Sequence, residues 1–203
     1  MPSPVSPIGE LLAAVRAALE PLGIRWYLFG AQAAILYGAA RLTADVDITL
    51  DPGPHPVEDV LAALEARCFA PRVDNAVAFV TETRVLPMVH GPTRIPVDLV
   101  LAGPGPEERF LQHAEVRLVD GVPVPVAAPD DLIVMKVLAG RPQDLEDVVA
   151  IIAAQGPRVD LERATATLRL LEQALDRRDL SPRLDQAHAA ARRGKGGSPT
   201  PSG

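Results

Sequence analysis

Residues 44–51, Ala-Asp-Val-Asp-Ile-Thr-Leu-Asp, alternate without a break between apolar and polar side chains. A period of two predicts a strand with one covered face and one open face. Ala44, Val46, Ile48 and Leu50 point one way, while Asp45, Asp47, Thr49 and Asp51 point the other. Aspartate is disfavoured in strands, so a row of it needs a reason. One reason is chemical: carboxylates two apart on a strand converge closely enough to share a hard divalent cation. The other is a strand whose wet face merely solvates its acids. Upstream, Trp26 to Phe29 reads as a short apolar strand, Gly30-Ala31 as a small-residue turn, and the residues to Gly38 as a short helix. A linker carrying Arg41 and Thr43 leads into the aspartate strand. A glycine before a helix lets a ligand approach the backbone, and the helix start offers amide donors to a phosphate. A phosphate cradle beside paired carboxylates is the minimum kit for phosphoryl or nucleotidyl transfer.

The chain of 203 residues is long enough for one domain with a helical extension, or for two small ones. Hydrophobic residues make up 48% and aromatics only 3%, so the core must be built from Ala, Val, Leu and Ile. The wealth of Ala, Pro, Arg and Gly is what a GC-rich bacterial genome encodes. A net charge of -6 and a pI near 5.2 exclude a general polyanion binder, so a nucleic-acid partner would need a local basic patch. The single cysteine, Cys68, leaves no internal disulfide partner and fits a reducing cytoplasm. Met1 to Pro7 lacks the charged and apolar regions of a signal peptide, and no apolar run is long enough for a bilayer. The expected location is the cytoplasm.

Ser6-Pro7 reads as the N-cap and first residue of a helix with Leu11, Val15, Ala18 and Leu22 at helical spacing, ended by Gly23. Val57 to Cys68 reads as an amphipathic helix that buries Val60, Leu61, Leu64 and Cys68, which makes the cysteine a small hydrophobe rather than a nucleophile. Ala76 to Val80 and Arg84 to His90 are β-prone, and Pro87 places the second of these at a sheet edge. In Ile95 to Leu101 the apolar face is Ile95, Val97, Leu99 and Leu101, with Asp98 opposite. Beside Asp45 and Asp47 in a sheet, Asp98 would be a third carboxylate; on a surface strand it would be one exposed acid. Glu107 to Ala114 reads as a short helix, and an Asp-Gly turn joins Glu115–Asp120 to Val122–Val126 as a hairpin.

Lys136 sits in a helix among Leu132, Ile133, Ala139 and Gly140, either snorkelling along the apolar stripe or crossing it to a phosphate. Gly140-Arg141-Pro142 breaks that helix. The next has Leu145, Val148, Val149 and Ile152 inward, with Asp144 and Asp147 on the border, where acids complement the helix dipole. Arg141 pairs with Asp144 or binds a phosphate; spacing leaves both open. Asp160 caps a long helix with Leu161, Ala164, Leu168, Leu171 and Leu175 inward, and Ser181 to Arg193 forms a last helix. Residues 194–203 have the composition of a disordered tail. The four histidines have no zinc-ligand spacing, and neither a P-loop nor a nucleophile elbow is present.

Read together, Gly30 through Asp47 as G-A-x-A-A-(x3)-Y-G-x-x-R-x-T-x-D-x-D, the later Val-Asp-Leu-Val around Asp98, and the Lys136…Arg141…Asp144 run resemble the minimal nucleotidyltransferases of the DNA polymerase β-like superfamily. The resemblance is closest to the bacterial AbiEii-type toxin group and covers about residues 10 to 155. It implies an α/β (α+β) nucleotidyltransferase fold, a mixed sheet flanked by helices with an α-helical C-terminal extension. The boundaries would be residues 1–127 for the core, 128–193 for the helical region and 194–203 for the tail. It further implies that Asp45, Asp47 and Asp98 are catalytic and hold two Mg2+ ions. Gly30, Ala31, Arg41, Thr43, Lys136, Arg141 and Asp144 would form the nucleotide site for ATP or CTP. The sequence departs from much of the superfamily at Ala31, where a Ser or Gly is usual; no hydroxyl serves the triphosphate there. The activity implied is transfer of a nucleoside monophosphate to an acceptor hydroxyl, a tRNA 3′ end, by a toxin with a cognate antitoxin. The rival expectations are a non-catalytic nucleotide- or partner-binding module of the same fold and an antibiotic-modifying nucleotidyltransferase.

Overall fold

The computed structural model describes residues 6–103 and 105–195. The chain forms two compact units, Met1–Gln32 with Leu42–Ala127, and Ala33–Arg41 with Ala128–Gly203. Among the described residues, no helix is long and apolar enough to cross a membrane.

The first unit opens on α1 (Pro7–Leu19), where Ser6 Oγ accepts from the Gly9 N–H at 3.0 Å and Pro7 supplies the preset first φ. Its buried face is Leu11, Leu12, Val15, Ala18 and Leu19. A tight turn over Glu20–Leu22 follows and stops at Gly23 with φ 67°. Then come β1 (Arg25–Phe29), α2 (Gly30–Leu36), β2 (Val46–Asp51), α3 (Val57–Glu65), β3 (Phe69–Pro71), α4 (Ala76–Thr83), β4 (Val85–His90), β5 (Pro96–Leu101), α5 (Glu107–His113), β6 (Glu115–Val119) and β7 (Val122–Val126). The seven strands make one mixed sheet in the order β3-β4-β5-β2-β1-β7-β6. The pairs β2–β5 and β1–β7 are parallel and the others antiparallel.

One face of this sheet is dry: Val46, Ile48, Leu50, Leu86, Met88, Val97, Leu99, Val124 and Val126 are all fully buried. α1 packs on β7 and α3 of the same unit. The other face is divided. Toward Asp51 it is closed, with Tyr27 and Thr49 buried, α5 against β1, and Arg25 bridging Asp51 (2.5 Å) and Glu108 (2.8 Å). Toward Asp47 it stays partly open. Asp120 and Gly121, both at positive φ (49° and 84°), make the two-residue turn of the β6–β7 hairpin.

Three local expectations are corrected. Residues 76–83 are the helix α4 rather than a strand, because Asn75 Oδ1 caps the Ala78 N–H at 3.1 Å and Ala76 and Val80 bury one face. β4 is not at the edge, since β3 covers it as far as Met88; Pro87 falls one position beyond that short ladder, where its carbonyl still accepts from the Arg72 N–H at 2.9 Å. Cys68 is exposed, because α3 ends at Glu65 and the cysteine occupies a left-handed turn (φ 65°) leading into β3.

The second unit is helical: α6 (Pro129–Ala139), α7 (Pro142–Gln155), α8 (Leu161–Leu175) and α9 (Leu180–Lys195). α6 packs on α7 and α8, and α7 on α9. The segment 33–41 belongs with them: Tyr37 is buried, its carbonyl accepts from Gln155 Nε2 at 3.2 Å, and Gly38 (φ 107°) lies so close to Ala154 that a Cβ would stand 2.5 Å from that methyl. Gly140 (φ 66°) separates α6 from α7, and Asp160 caps α8 through the Arg163 N–H at 2.9 Å. The buried stripe of α8 is Ala164, Thr167 and Leu168; Leu175 is exposed at the helix end, where Asp176 turns left-handed. The last helix runs two residues past Arg193, and residues 196–203 of the expected tail lie outside the described residues.

Asn75→Ala tests the helical assignment of residues 76–83. Losing the cap should cost about 1 kcal/mol, read as a lower urea midpoint at unchanged slope. An unchanged midpoint would mean that Asn75 does not set the start of α4.

Candidate active site

The parallel pairing of β2 with β5 places Asp47 directly across from Asp98. Val46, Ile48, Val97 and Leu99 fill the dry face, so the pleat turns both aspartates to the partly open side. Phe29, at the end of β1, is the partner of Asp47 on the other flank. The chain then turns at Gly30 with φ 67°, and a Cβ there would lie 2.6 Å from the Asp47 carboxyl carbon and inside its oxygen. Only glycine permits this approach of the turn to the carboxylate. Ala31 is buried. Asp45 precedes β2, is exposed, and accepts from the Thr43 hydroxyl. The first unit thus brings together Gly30, Asp47 and Asp98, with Thr43 and Asp45 joined to each other just ahead of β2.

Asp98 also has a partner that the sequence did not indicate. Arg72, directly after β3, donates from Nη2 to Asp98 and from Nε to the Met88 carbonyl at 3.0 Å. The donor set is all carboxylate oxygen, the kind that suits a hard divalent cation. Among the described residues, no three His, Cys, Asp or Glu side chains stand close enough to hold a metal as they are arranged. The fit to magnesium therefore rests on the Asp47–Asp98 pair, in register and beside a backbone stripped of its Cβ.

The second unit holds the remaining predicted residues in one charged cluster. Lys136 is only 4% exposed, and its ammonium donates to Asp147 at 2.7 Å and Asp144 at 3.4 Å. Arg41 reaches the same Asp147 at 2.9 Å, and Arg141 binds Asp144 at 2.5 Å. Lys136 therefore neither snorkels to solvent nor stands alone in its stripe; it closes on the two acids of α7. Those acids are buried, not border residues of the helix. Burial alone would raise the Asp144 carboxyl, but the Arg141 hydrogen bond and the Lys136 and Arg141 charges hold it below the usual carboxylate range. Asp147 was missed as a member of this set; its three-residue spacing from Asp144 was the available signal. Arg94 is exposed in the turn between β4 and β5, at positive φ.

The sheet and its glycine turn define a nucleotidyltransferase fold. The antibiotic-resistance factor ANT(2'')-Ia is similar at a TM-score of 0.57 and 14% identity, over 82% of this chain and 93% of that one. An antigenic nucleotidyltransferase-like protein from Paracoccidioides brasiliensis is similar at 0.51 and 18% identity, over 89% and 92%. No curated protein matches the sequence significantly. The chain belongs to the family described as nucleotidyl transferase AbiEii toxin, type IV TA system, whose model matches residues 10–196. It is, with that family, a nucleotidyltransferase.

Gly30→Ala should cost about 1–3 kcal/mol, the scale for a non-glycine residue held at such a φ, and should push Asp47 out of register with Asp98. The expected result is a lowered melting temperature together with lost transfer activity. A variant that melts and reacts like the wild type would contradict the contact between Gly30 and Asp47.

Proposed function

We propose that this nucleotidyltransferase uses two Mg2+ ions to move a nucleoside monophosphate from ATP or CTP to an RNA acceptor hydroxyl, a tRNA 3′ end. The observation that carries the reading is the pair Asp47 and Asp98, facing each other across two parallel strands beside Gly30. The acceptor oxygen bonds to the α-phosphorus, the bond from that phosphorus to the bridging oxygen breaks, and pyrophosphate leaves. Asp45 and Asp47 would hold the cations, with Asp98 joining them on the acceptor side. Bound magnesium supplies charge neutralisation at the α-phosphate and lowers the pKa of the attacking hydroxyl. The Gly30 and Ala31 amides, with Thr43, face the triphosphate. Arg41, Lys136, Arg141 and Asp144 are assigned to the nucleotide site on the family resemblance of their spacing alone.

The RNA acceptor rests on the family resemblance, and charge limits how it is met. A chain of net charge -6 does not capture polyanions broadly, so it must meet its acceptor at a defined end. The family's description as the toxin of a toxin–antitoxin system supports a cognate antitoxin protein as a partner, and the cytoplasm is the location we propose for it.

The test is incubation with each α-labelled triphosphate and Mg2+ against total RNA, DNA oligonucleotides, protein extract and aminoglycosides. Label should enter RNA, and Asp47→Asn should lose at least ~10²-fold of that rate, the scale for removing electrostatic stabilisation of a transferring phosphoryl group. The substitution lies off the dry face, so the fold should survive. Label in drug or protein but not RNA would overturn the acceptor. Near-wild-type turnover by Asp47→Asn would overturn the metal assignment. Label nowhere, with Asp47→Asn behaving as wild type in cells, would favour a binding module.

A further inference from the structure

Asp47 and Asp98 are like charges placed directly opposite each other on paired strands, an arrangement that repels unless something positive stands near. Arg72 brings one such charge to Asp98. Its backbone N–H donates to the Pro87 carbonyl at 2.9 Å and its Nε to the Met88 carbonyl at 3.0 Å, so its base is fixed to β4, the strand between β3 and β5. Pro87 is itself the register partner of Asp98. The guanidinium therefore reaches across one strand and delivers only its free end, Nη2, to the Asp98 carboxylate.

The side chains of Arg72 and Asp98 are 39% and 35% exposed. An ion pair so open to water contributes little to stability and is readily exchanged for a stronger counter-charge. A divalent cation between Asp47 and Asp98 would be that counter-charge, and it would occupy the same carboxylate that Arg72 now holds. From this geometry we infer that Arg72 is a displaceable counter-ion. It keeps Asp98 in place across from Asp47 while the site is empty, and it competes with the divalent cation for that carboxylate. The inference rests on the reading of Asp47 and Asp98 as cation ligands. It makes Arg72 a positioning residue that sets cation affinity, and it predicts that the native site binds the ion more weakly than its carboxylates allow.

The experiment is direct Mn2+ binding, followed by the electron paramagnetic resonance of the free ion, on wild type, Arg72→Gln, Arg72→Lys and Asp47→Asn without nucleotide. Arg72→Gln should bind Mn2+ about fivefold more tightly, the most that an exposed pair contributes expressed as a binding ratio. Without Mn2+ it should also melt below wild type, and the gap should close at saturating Mn2+. Arg72→Lys, which keeps the charge, should stay near wild type. Equal or weaker Mn2+ binding by Arg72→Gln, with wild type binding and Asp47→Asn not binding, would overturn the counter-ion role and spare the cation site. Wild type binding no better than Asp47→Asn would overturn both.

Discussion

The register between β2 and β5 is the constraint on which the rest of this site depends. The strands pair from Val46↔Val97 to Leu50↔Leu101, and the pleat then sorts their side chains to two faces. A slip of either strand by one residue would move its aspartate, Asp47 or Asp98, into the core and carry Ile48 or Leu99 out of it, so burial of the apolar set fixes where the carboxylates must be. The repulsion of two acids set opposite each other is therefore tolerated because the dry face outweighs it. Local charge from Arg72 eases it further. Gly30 adds a steric condition: the turn into α2 closes on Asp47 only because no Cβ intervenes.

Much of this was readable from alternation. A period of two in residues 44–51 and 95–101 marks both strands and the faces of Asp47 and Asp98, while Asp45 precedes β2 instead of lying in it; Ser6, Asp160 and the Asp-Gly turn mark boundaries through local hydrogen-bond chemistry. The failures have separate causes. Residues 76–80 have the composition of a strand, but the Asn75 cap and two buried positions make them a helix, a decision that tertiary contacts take. Cys68 followed from extending the helical period three residues beyond where the chain turns. Pro87 was sent to an edge because β3, three residues long, was too short to be seen.

Charge partners were the least legible layer. Spacing put Asp144 and Asp147 near one edge of a helix, but nothing in one helix says that a lysine on the helix before will reach them. In the second unit Lys136, Arg41 and Arg141 surround two buried acids. A cluster of that kind is costly to interrupt, since removing one member leaves buried charge uncompensated. Arg72 is no easier to read from sequence: it lies 26 residues from Asp98 and meets it only because β3, β4 and β5 are neighbours. Sequence periodicity reports which face a residue occupies; it does not report what stands across from it.

In the proposed function Asp45, Asp47 and Asp98 form the cation site of a nucleotidyl transfer. A crystal structure with Mg2+ and an α,β-methylene nucleoside triphosphate tests it most directly, because that analogue cannot release pyrophosphate. The expected result is metal density bridging Asp47 and Asp98, joined by Asp45, with the triphosphate against the Gly30 and Ala31 amides. Nucleotide and metal bound away from these carboxylates, with Arg72 still on Asp98, would contradict it.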